Sequence, residues 1–236
     1  MLLLVPIVIC AAIAQATSGE LEPPAKSRQM VVVTTENWQA VTGTLHRFAR
    51  GGSDQAWRPV GERIPVTVGR EGMAWGLGLH AVPKGDVCKV EGDGKAPAGI
   101  FRLAAAFGYD TRPKGLKLPY IQARAGIEAI DDPDSHYYNQ IVDRAEVAKV
   151  DWRSSEMLLR TDDSYRHGVV IAHNPKCVPR GGSCIFLHVW SRRGEGTAGC
   201  TAMSLAAIAE LQRWLDPKAE PVLLQAPVDY IPRSLR

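Results

Sequence analysis

Apolar residues in this chain occur mostly in short runs, separated by glycine, proline and small polar residues. Runs of four to six residues rich in β-branched and large apolar side chains are typical of strands. The predicted strands are residues 30–35, 64–68, 99–103, 169–172, 185–190 and 222–225. The turn signals Asp93-Gly94 and Ala98-Gly99 predict a hairpin. This pattern predicts a mainly β fold, a β-sandwich or barrel-like core.

Helical spacing is confined to two segments. Between Ser204 and Leu215, apolar residues recur every three or four positions, with Ser204 suited to the N-cap and Pro217 ending the pattern. Residues 139–148 show the same spacing more weakly. We therefore expect one packed helix shortly after residue 200, and a weaker one near residue 140.

The N-terminal residues predict export. Residues 1–16 form an apolar run that ends in an Ala14-x-Ala16 pattern, as signal peptides do, although no Lys or Arg precedes it. A membrane anchor is the alternative, but a span needs roughly 20 apolar residues. Residues 17–29 are polar, contain Pro23-Pro24 and predict a linker. Residues 30–236 then form one domain, located in the periplasm or cell envelope.

A histidine and a cysteine lie between the predicted strand at 185–190 and the predicted helix. His188 is near the end of the strand, and Cys200 follows twelve residues later. A cysteine thiol has a pKa of roughly 8.5, so it needs a base or a positive potential to ionise at neutral pH. His188 is a candidate base, and the nearby helix N-terminus would lower the thiol pKa further. By spacing alone, such residues are more often plain core residues.

Motifs around these two residues carry a family resemblance. They are Phe186-Leu187-His188-Val189-Trp190, Thr197-Ala198-Gly199-Cys200-Thr201-Ala202-Met203 and, upstream, Glu91-Gly92-Asp93-Gly94-Lys95-Ala96-Pro97-Ala98-Gly99. In this order they resemble the YkuD-like L,D-transpeptidase catalytic domain family, in the branch with an FLHVW…TAGC motif. Shorter matches are Asp131-Asp132-Pro133, Tyr138-Asn139, Glu156 and His173-Asn174. The resemblance covers roughly residues 30–226 and implies a mainly β domain with its cysteine at the mouth of a groove.

The resemblance also implies a catalytic apparatus. Cys200 is the nucleophile of a thioester mechanism on peptidoglycan stem peptides, and His188 is the general base and acid. Val189 orients His188 through its backbone carbonyl, Gly199 forms the oxyanion turn, and Thr197 belongs to the same catalytic set. No cofactor and no metal are implied, and the oligomeric state is open.

Four residues are implied to bind substrate: His173, Asn174, Trp190 and Tyr138. A hydrogen-bonded structural role is the alternative for His173, and a place in the core is the alternative for Tyr138 and Trp190. Better-known relatives have a histidine where this chain has Ala198, and an arginine soon after the cysteine. Two further functions therefore stay open: an L,D-carboxypeptidase or amidase using the same dyad, and a non-catalytic cell-wall-binding module.

Charge and cysteine content add a few constraints. The formal net charge of +3 suits an anionic polymer, but without a clustered basic run it does not predict nucleic-acid binding. Cys177 and Cys184 bracket a turn-rich loop and form a disulfide or stay as free thiols. With His173 and His188 they form an H-x3-C-x6-C-x3-H series of zinc-ligand types, whose spacing matches no common zinc module.

Overall fold

The computed structural model describes residues 21–236, and the predicted signal peptide lies outside them. The strands of this part, numbered in chain order, are β1 Gln29–Thr35, β2 Thr42–Ala49, β3 Arg58–Thr67, β4 Met73–Trp75, β5 Ala96–Gly108, β6 Tyr120–Gln122, β7 Ile127–Ile130, β8 Ile141–Asp143, β9 Ser155–Met157, β10 His167–Ile171, β11 Phe186–Val189, β12 Thr201–Met203 and β13 Val222–Pro227. Its α-helix is α1 Leu205–Trp214, and its 3₁₀ turns are Pro217–Ala219, Val228–Tyr230 and Arg233–Leu235.

Eight of the strands close into a barrel. Their order is β10-β11-β12-β3-β2-β1-β13-β5, and β5 pairs back onto β10. Strands β4 and β6 pair with β5 outside this ring, while β7, β8 and β9 form a separate three-stranded sheet. Closure pairs the strands at both sides, so the barrel itself has no open edge. The predicted mainly β fold with one packed helix is confirmed.

Helix α1 follows β12 and covers one side of the barrel. Its buried residues include Ile208 and Leu211, and it packs against β10 and β11. The Ser204 side chain accepts a hydrogen bond from the Ala207 N–H at 3.3 Å, which confirms the predicted N-cap. Truncating a fully buried side chain such as Ile208 to alanine typically lowers the free energy of unfolding by about 2–5 kcal/mol.

Two local predictions are wrong. Residues 139–148 contain β8 and turns in place of a helix, and Asn139 has a φ of 61°, which an α-helix excludes. The Ala98-Gly99 pair lies inside the long strand β5, not in a turn. A Cβ at Gly99 would lie 1.8 Å from Cε1 of His80, so the glycine makes room for that ring.

The predicted linker is packed where the structure describes it. Leu21 is 6% exposed, and its N–H donates to the carbonyl oxygen of Tyr230 at 3.1 Å. The Arg50 guanidinium donates to the carbonyl oxygens of Ser27 and Pro24. Residues 21–28 are therefore tied to the domain. The helix in the described part of the chain is too short to cross a membrane.

Candidate active site

Two parallel strands bring Cys200 and His188 to the same cavity. β11 and β12 pair so that His188 lies opposite Ala202, two residues after Cys200. Residues two positions apart on extended chain face the same side. Both side chains line a cavity of about 270 Å³, whose wall also includes Trp190 and Thr197. The tertiary fold thus brings the predicted base and nucleophile into the wall of one cavity.

The Cys200 thiol is hydrogen-bonded to the chain around the start of β11. Cys200 is 8% exposed, and its Sγ accepts a hydrogen bond from the Phe186 N–H at 3.2 Å. The thiol donates to the carbonyl oxygen of Cys184 at 3.6 Å. Within residues 21–236, no hydrogen bond joins Cys200 to His188.

Burial determines the ionisation of the thiol. It raises the pKa of Cys200 to about 12, and the negative charge of Glu156 acts in the same direction. The Phe186 N–H and the positive charge of Lys89 lower the pKa, but by less. Strand β12 lies between Cys200 and α1, and the pKa of Cys200 is raised, not lowered as the helix N-terminus by itself predicts. The resting cysteine is a neutral thiol.

His188 is held in one tautomer by its neighbour. Its Nδ1 lies 2.8 Å from the carbonyl oxygen of Val189. Because a carbonyl only accepts hydrogen bonds, Nδ1 carries the proton of the neutral ring and Nε2 keeps a free lone pair. Burial lowers the pKa of His188. The imidazole is therefore neutral at neutral pH and chemically able to accept a proton, with Val189 in the expected orienting position.

The turn before the nucleophile is fixed by Thr197. Its Oγ1 donates to the carbonyl oxygen of Cys200 at 2.6 Å and accepts from the Gly199 N–H at 3.1 Å. Gly199 has a φ of 156°, and a Cβ there would lie 3.1 Å from the carbonyl oxygen of Lys95. Glycine therefore allows the close approach. Its N–H is already bonded within the turn, which leaves the Cys200 N–H as the nearer candidate for an oxyanion donor.

A family comparison matches this part of the chain and most of the rest. The family model described as YkuD, L,D-transpeptidase catalytic domain, matches residues 43–224, which include both Cys200 and His188. The chain belongs to the YkuD family. No curated protein and no solved structure matches it.

The YkuD domain places two further side chains beside the dyad that the sequence patterns did not single out as site residues. Tyr165 packs edge-on against the His188 ring, with ring centroids 5.4 Å apart. The Tyr165 hydroxyl donates to the carboxylate of Glu156, and both residues line the cavity. Burial raises the pKa of Glu156. In the sequence, Glu156 is one of the short matches to the family pattern, and Tyr165 belongs to no motif.

His173 and Asn174 do not line the cavity of Cys200 in this YkuD domain. His173 is 2% exposed; its Nδ1 accepts from the Leu77 N–H at 3.2 Å and its Nε2 donates to the Gly181 carbonyl at 2.9 Å. Burial lowers its pKa to about 4. The fully buried Asn174 bonds the backbone of the loop at 174–182. The hydrogen bonds of both side chains hold this loop, and His173 also lines a separate cavity of about 460 Å³, so a substrate contact of either residue stays a prediction.

Tyr138 is internal as well, whereas Trp190 reaches the cavity. Tyr138 is 2% exposed, and its hydroxyl donates to the carboxylate of Glu91, which also accepts from Ser183 at 2.7 Å. Burial and this carboxylate raise the pKa of Tyr138. Trp190 is half-buried and lines the cavity with Cys200. Of the four predicted substrate-binding residues, the fold brings Trp190 to the dyad.

Two further cavities lie next to the cavity of Cys200 along the barrel. Trp190 also lines a neighbouring cavity of about 470 Å³ together with Arg63 and Arg193. Arg63 and Thr44 in turn line a third cavity of about 460 Å³. We call the last two cavities the arginine groove. Because consecutive cavities share wall residues, the three cavities lie side by side, from Cys200 to β2 and β3.

The cysteines of the described chain are free thiols. Cys184 is buried and donates to the Ile130 carbonyl at 3.4 Å, while Cys177 is half-buried. Of the two alternatives for Cys177 and Cys184, the structure therefore shows free thiols and no disulfide. Among residues 21–236, no three or more His, Cys, Asp or Glu side chains are grouped to hold a metal ion, so the H-x3-C-x6-C-x3-H series is not assembled there.

Proposed function

We propose that this protein is a cysteine-dependent L,D-transpeptidase that cross-links or remodels peptidoglycan stem peptides through a thioester acyl-enzyme. The observation that carries the proposal is the shared cavity of Cys200 and His188, with the lone pair of His188 Nε2 free, in a chain of the YkuD family. The apolar run at residues 1–16 supports export to the periplasm or cell envelope, where this substrate lies.

Acylation begins with a rotation of the thiol. Cys200 turns from the Cys184 carbonyl towards His188, and its proton passes to Nε2. The thiolate attacks the carbonyl carbon of an L-centre residue, so that a C–S bond forms and the carbonyl oxygen becomes an oxyanion. The Cys200 N–H stabilises this oxyanion, and one such donor contributes about 3 kcal/mol in other enzymes. Thr197 holds the turn while the charge develops.

The acyl-enzyme then forms and is resolved. The oxyanion collapses, the bond to the following D-amino acid breaks, and His188 returns its proton to the leaving amine. An amine of a second stem peptide attacks the thioester and gives a new amide bond, while the sulfur regains its proton. Water in place of that amine gives hydrolysis.

The arginine groove suits the second stem peptide. Stem peptides carry free carboxylates, and guanidinium groups recognise carboxylates through paired hydrogen bonds. Arg63 and Arg193 are exposed in the groove and have no carboxylate partner among the described residues. They would compensate for the arginine that this chain lacks after Cys200. Trp190 lines both the groove and the cavity of Cys200.

The test uses purified protein and disaccharide-tetrapeptide muropeptides, with products weighed by mass spectrometry. Dimers with loss of a D-amino acid support transfer, and tripeptides without dimers support the hydrolase alternative. Unchanged muropeptides with retained binding would support a wall-binding module and overturn the proposal. Cys200→Ala should abolish every product, whereas Cys88→Ala, which removes an exposed thiol, should leave the products unchanged.

A further inference from the structure

Lys89 is a buried lysine whose side chain ends beside the turn that carries Cys200. Its side chain is 3% exposed, and its Nζ donates to Oδ1 of Asp93 at 2.8 Å. Asp93 also accepts the N–H groups of Val90 and Lys95, each at 2.9 Å. The carboxylate therefore holds both the local turn and the ammonium group in place.

Two glycines make room for this side chain. A Cβ at Gly182 would lie 2.9 Å from Cε of Lys89, and a Cβ at Gly199 would lie 3.4 Å from Nζ. The apolar stem thus passes Gly182, and the ammonium group ends against the residue that precedes the nucleophile. Both glycines have positive φ, 92° and 156°. The slot fits an unbranched chain with a small cationic end.

Stability alone gives little reason for this ion pair. Desolvation of two buried charges offsets most of their mutual attraction, and apolar replacements of such pairs are often equally stable. A buried charge, however, acts strongly on neighbouring groups because little water screens it. The other ionisable groups that share the cavity of the thiol are Glu156, Arg160, Tyr165, His188 and Glu195. Arg160 is a cation in the wall of this cavity, whereas Lys89 lies outside the wall, against Gly199.

We propose that Lys89 is a positioning residue of the active site, whose ammonium group, fixed by Asp93 behind Gly199, stabilises the negative charge on Cys200 after the thiol proton has moved to His188. This inference rests on the proposed role of Cys200 as nucleophile. The arrangement also explains part of the upstream motif: residues 91–95 form the turn that orients Asp93, whose carboxylate pairs with Lys89.

The test measures the thiol without substrate, so it can fail independently of transpeptidation. Alkylation of Cys200 by iodoacetamide at about pH 9 is followed by mass spectrometry of the peptide that contains it, because the rate depends on the thiolate fraction. Loss of a nearby positive charge raises a thiol pKa, so Lys89→Met should slow alkylation about three- to tenfold. Glu156→Gln, which removes the opposing charge, should accelerate it.

The control is Arg47→Met, which removes another buried cation. Arg47 has a side chain that is 7% exposed and pairs with Glu210 at 2.7 Å. It should change stability without changing alkylation of Cys200. If Lys89→Met does not fold, Lys89→Met/Asp93→Asn removes both charges and keeps one oxygen for one of the two N–H groups that Asp93 accepts, from Val90 and from Lys95. An alkylation rate equal to that of Arg47→Met would overturn the inference and leave Lys89 with a purely structural role.

Discussion

Thr197 and Cys200 are joined by a hydrogen bond of 2.6 Å from the threonine hydroxyl to the cysteine carbonyl oxygen. The same hydroxyl accepts from the Gly199 N–H, so one side chain spans the whole turn before the nucleophile. This turn sets the direction of the Cys200 N–H and of the sulfur. Its geometry therefore depends on a hydroxyl group and not only on the glycine.

Replacement of Thr197 by valine should lower kcat/KM for muropeptides about tenfold to a hundredfold. Valine keeps the side-chain shape but loses both hydrogen bonds, and small misplacement of a reacting group has effects of this order. Thr197→Ser keeps the hydroxyl and should retain most of the activity. Thermal unfolding should show that both variants fold. Equal activity of the valine and serine variants would contradict the role assigned to the hydroxyl.

The pH profile of acylation should have an acid limb below about pH 6.5 and stay flat through neutral pH. Burial lowers the pKa of His188 below its usual value of 6.5, so the ring becomes a base as pH rises through that lowered pKa. Burial raises the pKa of Cys200 to about 12, so the thiol does not ionise near neutrality. Single-turnover acylation followed by intact mass gives the profile. An acid limb above pH 7 would argue for a preformed thiolate–imidazolium pair.

His173 should make the fold sensitive to acid. Its folded-state pKa of about 4 lies below the usual 6.5, so the unfolded chain binds a proton first as pH falls. The resulting loss of about 3 kcal/mol in free energy of unfolding is complete near pH 4 and absent above about pH 6.5. Urea unfolding of the protein and of His173→Gln at both pH values measures it. The variant should lose less stability between the two, and an equal loss would contradict the assignment.

Charge reversal in the arginine groove should change the ratio of transfer to hydrolysis. Arg63→Glu and Arg193→Glu should lower the yield of dimers severalfold, because they repel the carboxylates of the second stem peptide. Acylation and tripeptide formation should persist, since the dyad is untouched. Arg58→Glu is the matched control, an exposed arginine of β3 that does not line the groove. Parallel loss of dimers and tripeptides would place these arginines at the donor site instead.

Short-range patterns were enough to predict the helix and six of the thirteen strands in the described part of the chain. The apolar runs and the 204–215 periodicity match β1, β3, β5, β10, β11, β13 and α1, with shifted bounds. Alternation and helical spacing are local properties, so they are visible in a single sequence. The motifs around His188 and Cys200 likewise pointed to the family that the family model matches.

Other features depended on contacts between distant segments. Closure of the barrel needs β5 to pair with β10, about sixty residues later, and no local pattern specifies that partner. His173 and Tyr138 look like groove residues in a motif, yet their polar atoms are bonded inside the protein. In the sequence, no pattern distinguishes Lys89 from other lysines. Only the fold packs its side chain against Gly182 and Gly199.

The sequence by itself was therefore sufficient to indicate a mainly β domain of the L,D-transpeptidase type and its Cys200–His188 pair. Periodicity and motifs depend on residues that are near one another in the sequence, so they can be recognised without the fold. Folding alone decided which polar side chains reach the cavity, which are used inside the protein, and which charges lie next to the sulfur. Burial and the partners of each polar atom arise from residues far apart in sequence, and these set ionisation and access.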